Sequence, residues 1–240
     1  MKKLFAILVV AVLAVTLVAC GPSEVTATGY GITHKSYVGE VVMTVDKDGK
    51  VVSASVEEYY LPYNFAVVAV EEGAEVPTDV VIGNSHGVKY FAKYVSINGV
   101  LFTAADNAEG LPVYTGADGS ELLAWVADEA NAKAYVDGIK AATVFVADET
   151  GAQHATYATP ASVELFTKTG TNYGGDNWNW AEQVAAFATA LVGTTMNGTA
   201  TQNADTGVWS LDDVETGATM VDFEQYYAVA QRAYATATAE

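Results

Sequence analysis

Two runs of alternating residues, Val38 to Val45 and Val51 to Val56, flank the stretch Asp46-Lys47-Asp48-Gly49-Lys50. Successive side chains of a strand point to opposite faces, so alternation of this kind marks a half-buried strand. Asp48-Gly49 tolerates the positive φ that a tight turn demands, and the whole stretch therefore predicts a β-hairpin. A second hairpin is expected around Asn98-Gly99, between Tyr90–Ile97 and Val100–Thr103. Helical spacing comes later in the chain. Ser120 is the expected N-cap of a helix reaching about Ile139, with Leu122, Leu123, Val126 and Ala130 on one face. A buried strand is expected at Ala142–Val146, a loop at residues 172–180 and an apolar-faced helix at 181–192. The last helix is expected from about Val221 to Thr236, with Phe223, Tyr226 or Tyr227, Ala230 and Tyr234 at helical spacing. Strands early, helices late and no βαβ alternation point to an α+β fold. No linker-like break follows residue 30, so residues 29–240 read as one domain.

The chain carries 29 Asp and Glu against 11 Lys and Arg, a net charge of −18 over 240 residues. Nucleic-acid binding needs phosphate-neutralising cations that are missing here. A hydrophobic content of 51% excludes an intrinsically disordered acidic chain. The single cysteine excludes a disulfide framework and any Cys₂ or Cys₄ metal site. Lys2 and Lys3 precede an apolar run from Leu4 to Ala19, too short to cross a hydrocarbon core of about 30 Å comfortably, so residues 1–19 read as a secretory signal. Leu17-Val18-Ala19-Cys20 resembles a bacterial lipobox. That resemblance implies lipidation of Cys20, removal of residues 1–19, and a cell-membrane anchor on the extracytoplasmic face. The plainer alternative is an ordinary signal whose cleavage site abuts a buried cysteine. Residues 20–28 would form the tether, small and polar apart from Cys20. Loss of the signal leaves 29 acids against 9 bases, a net −20 that anionic lipid would repel while two or more acyl chains hold the chain. An exported chain has no cytosolic nucleotide pool at hand, so any cofactor must be held tightly or covalently.

The tripeptide Thr-Gly-Ala occurs at Thr115, Thr150 and Thr216. Only the third copy stands within Asp213-Val214-Glu215-Thr216-Gly217-Ala218-Thr219. The first has Pro112 and Asp118 at the outer positions, and the second has Ala147 and Gln153. The D-x-x-[ST]-G-A-T string, followed by an amphipathic helix, resembles the flavinylation motif of the FMN-binding domain family. That family includes flavin subunits of sodium- and other ion-translocating respiratory complexes, and flavin-carrying lipoproteins of extracellular electron transfer. The resemblance implies covalent FMN, placed as a phosphodiester on Thr219 by an FMN transferase that uses FAD as donor. It also implies that Thr216, Gly217 and Ala218 are the recognition core and Asp213 the leading acid. Gly39 to Val52, through the Asp48-Gly49-Lys50 turn, resembles the family's opening strand–turn–strand pattern. More than 150 residues separate that turn from Thr219, more than the compact family form needs, so the chain carries either an insertion or a decayed duplication.

The motif is chemically sensible by itself. Gly217 lacks a side chain and Ala218 has only a methyl, so the backbone there can be approached closely. Thr219 falls just before the last helix, where unsatisfied N–H groups and the helix dipole would favour a phosphodiester by about 0.3–1 kcal/mol. Asp213 would repel that phosphate, and its expected role is in the transfer step. Alternatively, Thr219 is merely the N-cap of the final helix. An isoalloxazine needs apolar or aromatic walls. Trp178, Trp180, Trp209, Tyr226 and Tyr227 are available, and Trp209 and Tyr226 are preferred as nearest in sequence to Thr219.

Other signals are set aside. His34, His86 and His154 are isolated and read as scattered surface polarity, with no haem or zinc pattern. Asp46 to Gly49 lacks the ligands of a calcium loop, and Gly29-Tyr30-Gly31 follows no strand as a phosphate loop would. The expectation is a lipid-anchored electron carrier with covalent FMN rather than a substrate-turning enzyme, taking electrons from a membrane donor and passing them to a soluble acceptor or partner reductase. The alternative is a lipid-anchored solute-binding or adhesive module without a redox role.

Overall fold

The structure is a computed structural model that describes residues 24–175 and 178–239. Cys20 and the signal lie outside the described residues. Strand β1 (Val25–Thr33) pairs antiparallel with β2 (Tyr37–Val45), which pairs with β3 (Val51–Tyr60), forming the expected hairpin plus one strand. The turn closes as its residues require: Gly49 has φ +75°, and Asp46 Oδ1 accepts the N–H groups of Asp48 and Lys50, each at 2.9 Å. β1 begins inside the span read as tether. Val25 to Thr28 pair with Val45 to Val42, and the Thr26 and Thr44 hydroxyls lie 2.9 Å apart. Small polar composition concealed that alternation of β-branched residues.

After α1 (Pro62–Phe65), β4 (Val67–Val68), β5 (Val80–Asn84) and β6 (Val88–Ala92) form a second sheet in the order β4-β6-β5. A third sheet holds β7 (Tyr94–Ile97), β8 (Val100–Ala105) and β9 (Val113–Gly116). The second predicted hairpin is present as β7–β8, with Asn98 and Gly99 both at positive φ. Its first strand is shorter than expected. The run Tyr90–Ile97 is divided at Lys93, whose N–H and C=O bond Asp79 and Ala104 and pass the chain between sheets.

The helix expected over 120–139 is two helices, α2 (Leu122–Ala127) and α3 (Glu129–Lys140). Asp128 is extended, and its carboxylate accepts the N–H groups of Ala130 at 3.0 Å and Asn131 at 3.2 Å. It ends one helix and caps the next. Ser120 does not cap; its hydroxyl donates to Asp118 Oδ1 at 2.6 Å. Ala142, at φ +56°, delays the following strand to β10 (Val144–Ala147), which completes the third sheet beside β7.

Within the stretch expected to be a loop, β11 (Gly174–Gly175) and β12 (Trp178–Asn179) form a minimal ladder, leading into α4 (Trp180–Leu191), which Asn179 caps. β13 (Ala200–Gln202), β14 (Trp209–Leu211) and β15 (Val214–Glu215) make a last small sheet before α5 (Phe223–Thr238). Antiparallel sheets with five helices among the described residues, the last of them C-terminal to every strand, confirm the α+β class. No helix among the described residues is long and apolar enough to cross a membrane.

The β1–β3 meander serves two hydrophobic clusters. Val41, Met43, Val45 and Val51 pack with α4 and α5, while Tyr30, Val38 and Tyr59 pack with α2, α3 and the third sheet. Gly29 and Gly31 sit where α5 lies on β1. A Cβ at Gly29 would meet the backbone of Val229 and Ala233, so these glycines serve helix packing and not a phosphate. Arg232 Nη1 adds a bond to the Tyr30 carbonyl at 2.5 Å.

Two predictions follow from this packing. Gly29→Ala should lower the unfolding free energy by about 1–3 kcal/mol, read from urea midpoints, because the obstructing atoms are backbone. The second concerns alkali. Tyr114 and Tyr135 are fully buried and donate to the carbonyls of Ala92 at 2.7 Å and Tyr60 at 2.6 Å. Burial raises both hydroxyls above their ordinary value, and pushes Tyr37 and Tyr63 up to about 12. A raised folded-state pKa contributes stability that is complete below the unfolded value of about 10 and is lost as pH rises. Tyrosine absorbance should therefore climb together with loss of circular dichroism above that pH, in one step rather than residue by residue.

Candidate functional site

The T-G-A-T segment is strapped to β14. Asp212 (φ +53°) and Asp213 form the two-residue turn between β14 and β15, with Asp213 exposed at its tip. Thr216 donates to the Trp209 carbonyl twice, from N and from Oγ1, each at 2.8 Å. Its hydroxyl accepts the N–H of Ala218 at 3.1 Å, and Trp209 N–H donates to the Ala218 carbonyl at 2.9 Å. Gly217 turns the chain at φ +77°, a conformation that favours glycine. Ala218 is fully buried. Trp209 completes the brace: its ring stacks on Phe223 with centroids 5.0 Å apart, and its Nε1 donates to the Met220 carbonyl at 3.0 Å.

Thr219 projects from this braced loop toward α4. Gln183 Oε1 accepts from Thr219 N at 2.6 Å and from its hydroxyl at 3.2 Å. The expected position at the start of the last helix is not observed. Asp222 adopts φ +59° and holds the N-cap place, so α5 begins at Phe223, beyond Met220 and Val221. Thr219 is therefore not the N-cap of α5, and the N–H groups of that helix are not its neighbours by capping.

Met220 and Val221, the next two residues, line a cleft of about 290 Å³ whose aromatic walls are Tyr173, Trp178, Trp180 and Tyr226. Its size lies near the lower end of small-molecule clefts, roughly 300–1,000 Å³. Tyr226, expected beside a flavin, lines this cleft, whereas Trp209 does not: one face of its ring stacks on Phe223 and its N–H is committed to the loop brace. The indole Nε1 of Trp180 is buried and has no hydrogen-bond partner among the described residues.

Sequence reasoning missed the polar base of this cleft. Lys168 lines it and forms an ion pair with Glu58 Oε2. Glu58 Oε1 accepts the hydroxyls of Thr33 at 2.5 Å and Tyr226 at 2.8 Å. Lys168 Nζ also lies 4.2 Å from the ring centre of Tyr37 and 4.6 Å from those of Tyr173 and Trp180. Both ion-pair partners are buried, at 0% and 3% exposure. Burial, followed by the Glu58 charge and its hydrogen bond, raises the Tyr226 hydroxyl far above its ordinary value, so it remains a donor. No sequence spacing marks this set, because Thr33, Glu58, Lys168 and Tyr226 converge from four distant places.

The histidines are less scattered than expected. His34 lines the cleft and approaches Asp222 Oδ2 at 3.1 Å through Nδ1. His154 is half-buried: Nε2 lies 2.9 Å from Asp79 Oδ2, Nδ1 accepts two backbone N–H groups, and the ring stacks on Tyr157. His86 alone is exposed, in the turn before β6. Among the described residues no group of three or more His, Cys, Asp or Glu could hold a metal ion.

Removing one member of a buried ion pair leaves the other uncompensated, at a cost of about 3–5 kcal/mol, whereas neutral replacement of both is often harmless. Glu58→Ala should therefore destabilise strongly in urea, while Glu58→Gln with Lys168→Met should stay near the wild type. A scan against protein-family models finds no match to this chain, and searches of curated proteins and of solved structures find none either.

Proposed function

We propose that the chain is an electron carrier of the extracytoplasmic face, bearing one FMN through a phosphodiester on Thr219 and anchored by lipid at Cys20. The observation that carries this reading is that Met220 and Val221, the two residues after Thr219, line an aromatic cleft built by residues far away in sequence. The D-V-E-T-G-A-T string, which resembles a flavinylation motif, ends at the residue whose two successors line that cleft. When attached, the isoalloxazine supplies reversible uptake of electrons; the protein supplies the place.

Each nearby residue has a task in this reading. Gln183 orients the acceptor hydroxyl. The Trp209 brace holds Thr216 to Ala218 in one shape, with Gly217 exposed for close approach. Tyr173, Trp178, Trp180 and Tyr226 offer planar apolar surface that excludes water, and the unpartnered Trp180 Nε1 offers a donor to a carbonyl or ring nitrogen. Asp213, at the exposed turn, is free to meet the transferase or its metal.

Of the two accounts of the long interval before the motif, insertion is the better supported. The chain leaves the meander after Tyr60 and returns at Thr167, which bridges Tyr59, and the segment between supplies most of one hydrophobic cluster. Closely spaced ends are what a tolerated insertion requires. A duplication would make the copies alike, yet Thr115 and Gly116 belong to β9 whereas Thr216 and Gly217 form a loop.

Co-expression with an FMN transferase should give a yellow protein whose fluorescence survives denaturing electrophoresis. Thr219→Ala should abolish that band and Thr115→Ala should leave it intact. Fluorescence persisting in Thr219→Ala would remove the assignment. A colourless wild type under full modification would favour a lipid-anchored solute-binding module.

A further inference from the structure

Among its described lining residues the cleft has one formal charge, the ammonium of Lys168. The chain carries 29 acids against 11 bases, yet no Asp or Glu is among the described residues that line the cleft, while Lys168 and His34 are. The carboxylates stand one layer back. Glu58 is completely buried behind Lys168, and Asp222 lies against His34. Lys168 therefore separates Glu58 from the cleft. Three rings, of Tyr37, Tyr173 and Trp180, surround its ammonium, and its backbone is tied at both ends, N–H to the Glu58 carbonyl at 3.1 Å and C=O to the Tyr173 N–H at 2.9 Å. A cation fixed this way costs nothing to reorganise when charge develops nearby, and low local polarity strengthens its field.

We propose that Lys168 is the residue that sets the reduction potential of a ring held in this cleft, by favouring the form that carries negative charge. The inference rests on the covalent-flavin reading. Two-electron reduction brings two electrons from the donor and one proton from water to the flavin ring, which is left with one net negative charge. The buried ammonium stabilises that product more than the neutral oxidised ring, and so raises the potential. Glu58, opposite in sign but farther from the cleft, compensates the burial of Lys168 and only partly offsets its field. Lys168 acts through its charge and takes no part in bond making.

The test uses the full-length flavinylated protein, titrated with dithionite against reference dyes at neutral pH. Lys168→Arg, which keeps the charge, should keep a potential near that of the wild type. The Glu58→Gln/Lys168→Met pair, chosen to remain folded, should shift to a more negative potential. A merely structural role for the ion pair would not separate the variant that keeps the Lys168 charge from the one that removes it. Flavinylated variants that all titrate with the wild-type protein would overturn the role of Lys168 and leave the flavin reading standing. A wild type that takes up no covalent flavin would overturn both.

Discussion

The buried pair of Glu58 and Lys168 ties together the parts of the molecule that sequence keeps farthest apart. Glu58 belongs to β3, reaches Thr33 of β1 and Tyr226 of α5, and faces Lys168 at the point where the chain returns from its long excursion. Two desolvated charges are costly unless each finds its partner and its remaining hydrogen bonds. Here the aromatic rings around Lys168 and the two hydroxyls on Glu58 supply them. A pair of this kind specifies an arrangement more than it adds stability. The aromatic cleft lined by Met220 and Val221 exists because Tyr226, Trp180 and Tyr173 gather around that one ionic centre.

The meander of β1, β2 and β3 gives the pair its platform. Its strands contribute to both hydrophobic clusters, so neither cluster is complete without it. One cluster builds the layer of α4 and α5 that carries the Thr219 loop. The other includes Phe166 and so secures the segment that delivers Lys168 to the cleft. The site therefore forms where two separately packed regions meet over a shared sheet, a common location for ligand clefts.

Legibility in the sequence followed the range of the causes. Both hairpins were readable because alternation and the residues at Asp48-Gly49 and Asn98-Gly99 act locally. The helix break at Asp128 was not, since an aspartate in a helical pattern fits its solvent face equally well, and only the caps it makes with Ala130 and Asn131 decide. The division at Lys93 depends on partners in two other segments. At the site, the loop from Thr216 to Thr219 stood out as a motif, but its neighbours did not. Nearness in the chain favoured Trp209, whose stacking on Phe223 is a tertiary fact. Lys168 looked like any surface lysine, and Gln183 like any polar residue of a helix.

The contact between Gly29, Gly31 and α5 also bears on the order in which the molecule can close. The first described strand is covered by the last helix, 16 residues beginning at Phe223. A chain made from its N-terminus exposes that glycine face until α5 has appeared. Contacts of such sequence separation are slow to form, because the loop between them must be closed first. Any acceptor threonine at position 219 is then presented in its braced shape only once α5 has docked, which makes that helix the latch on the strands it covers.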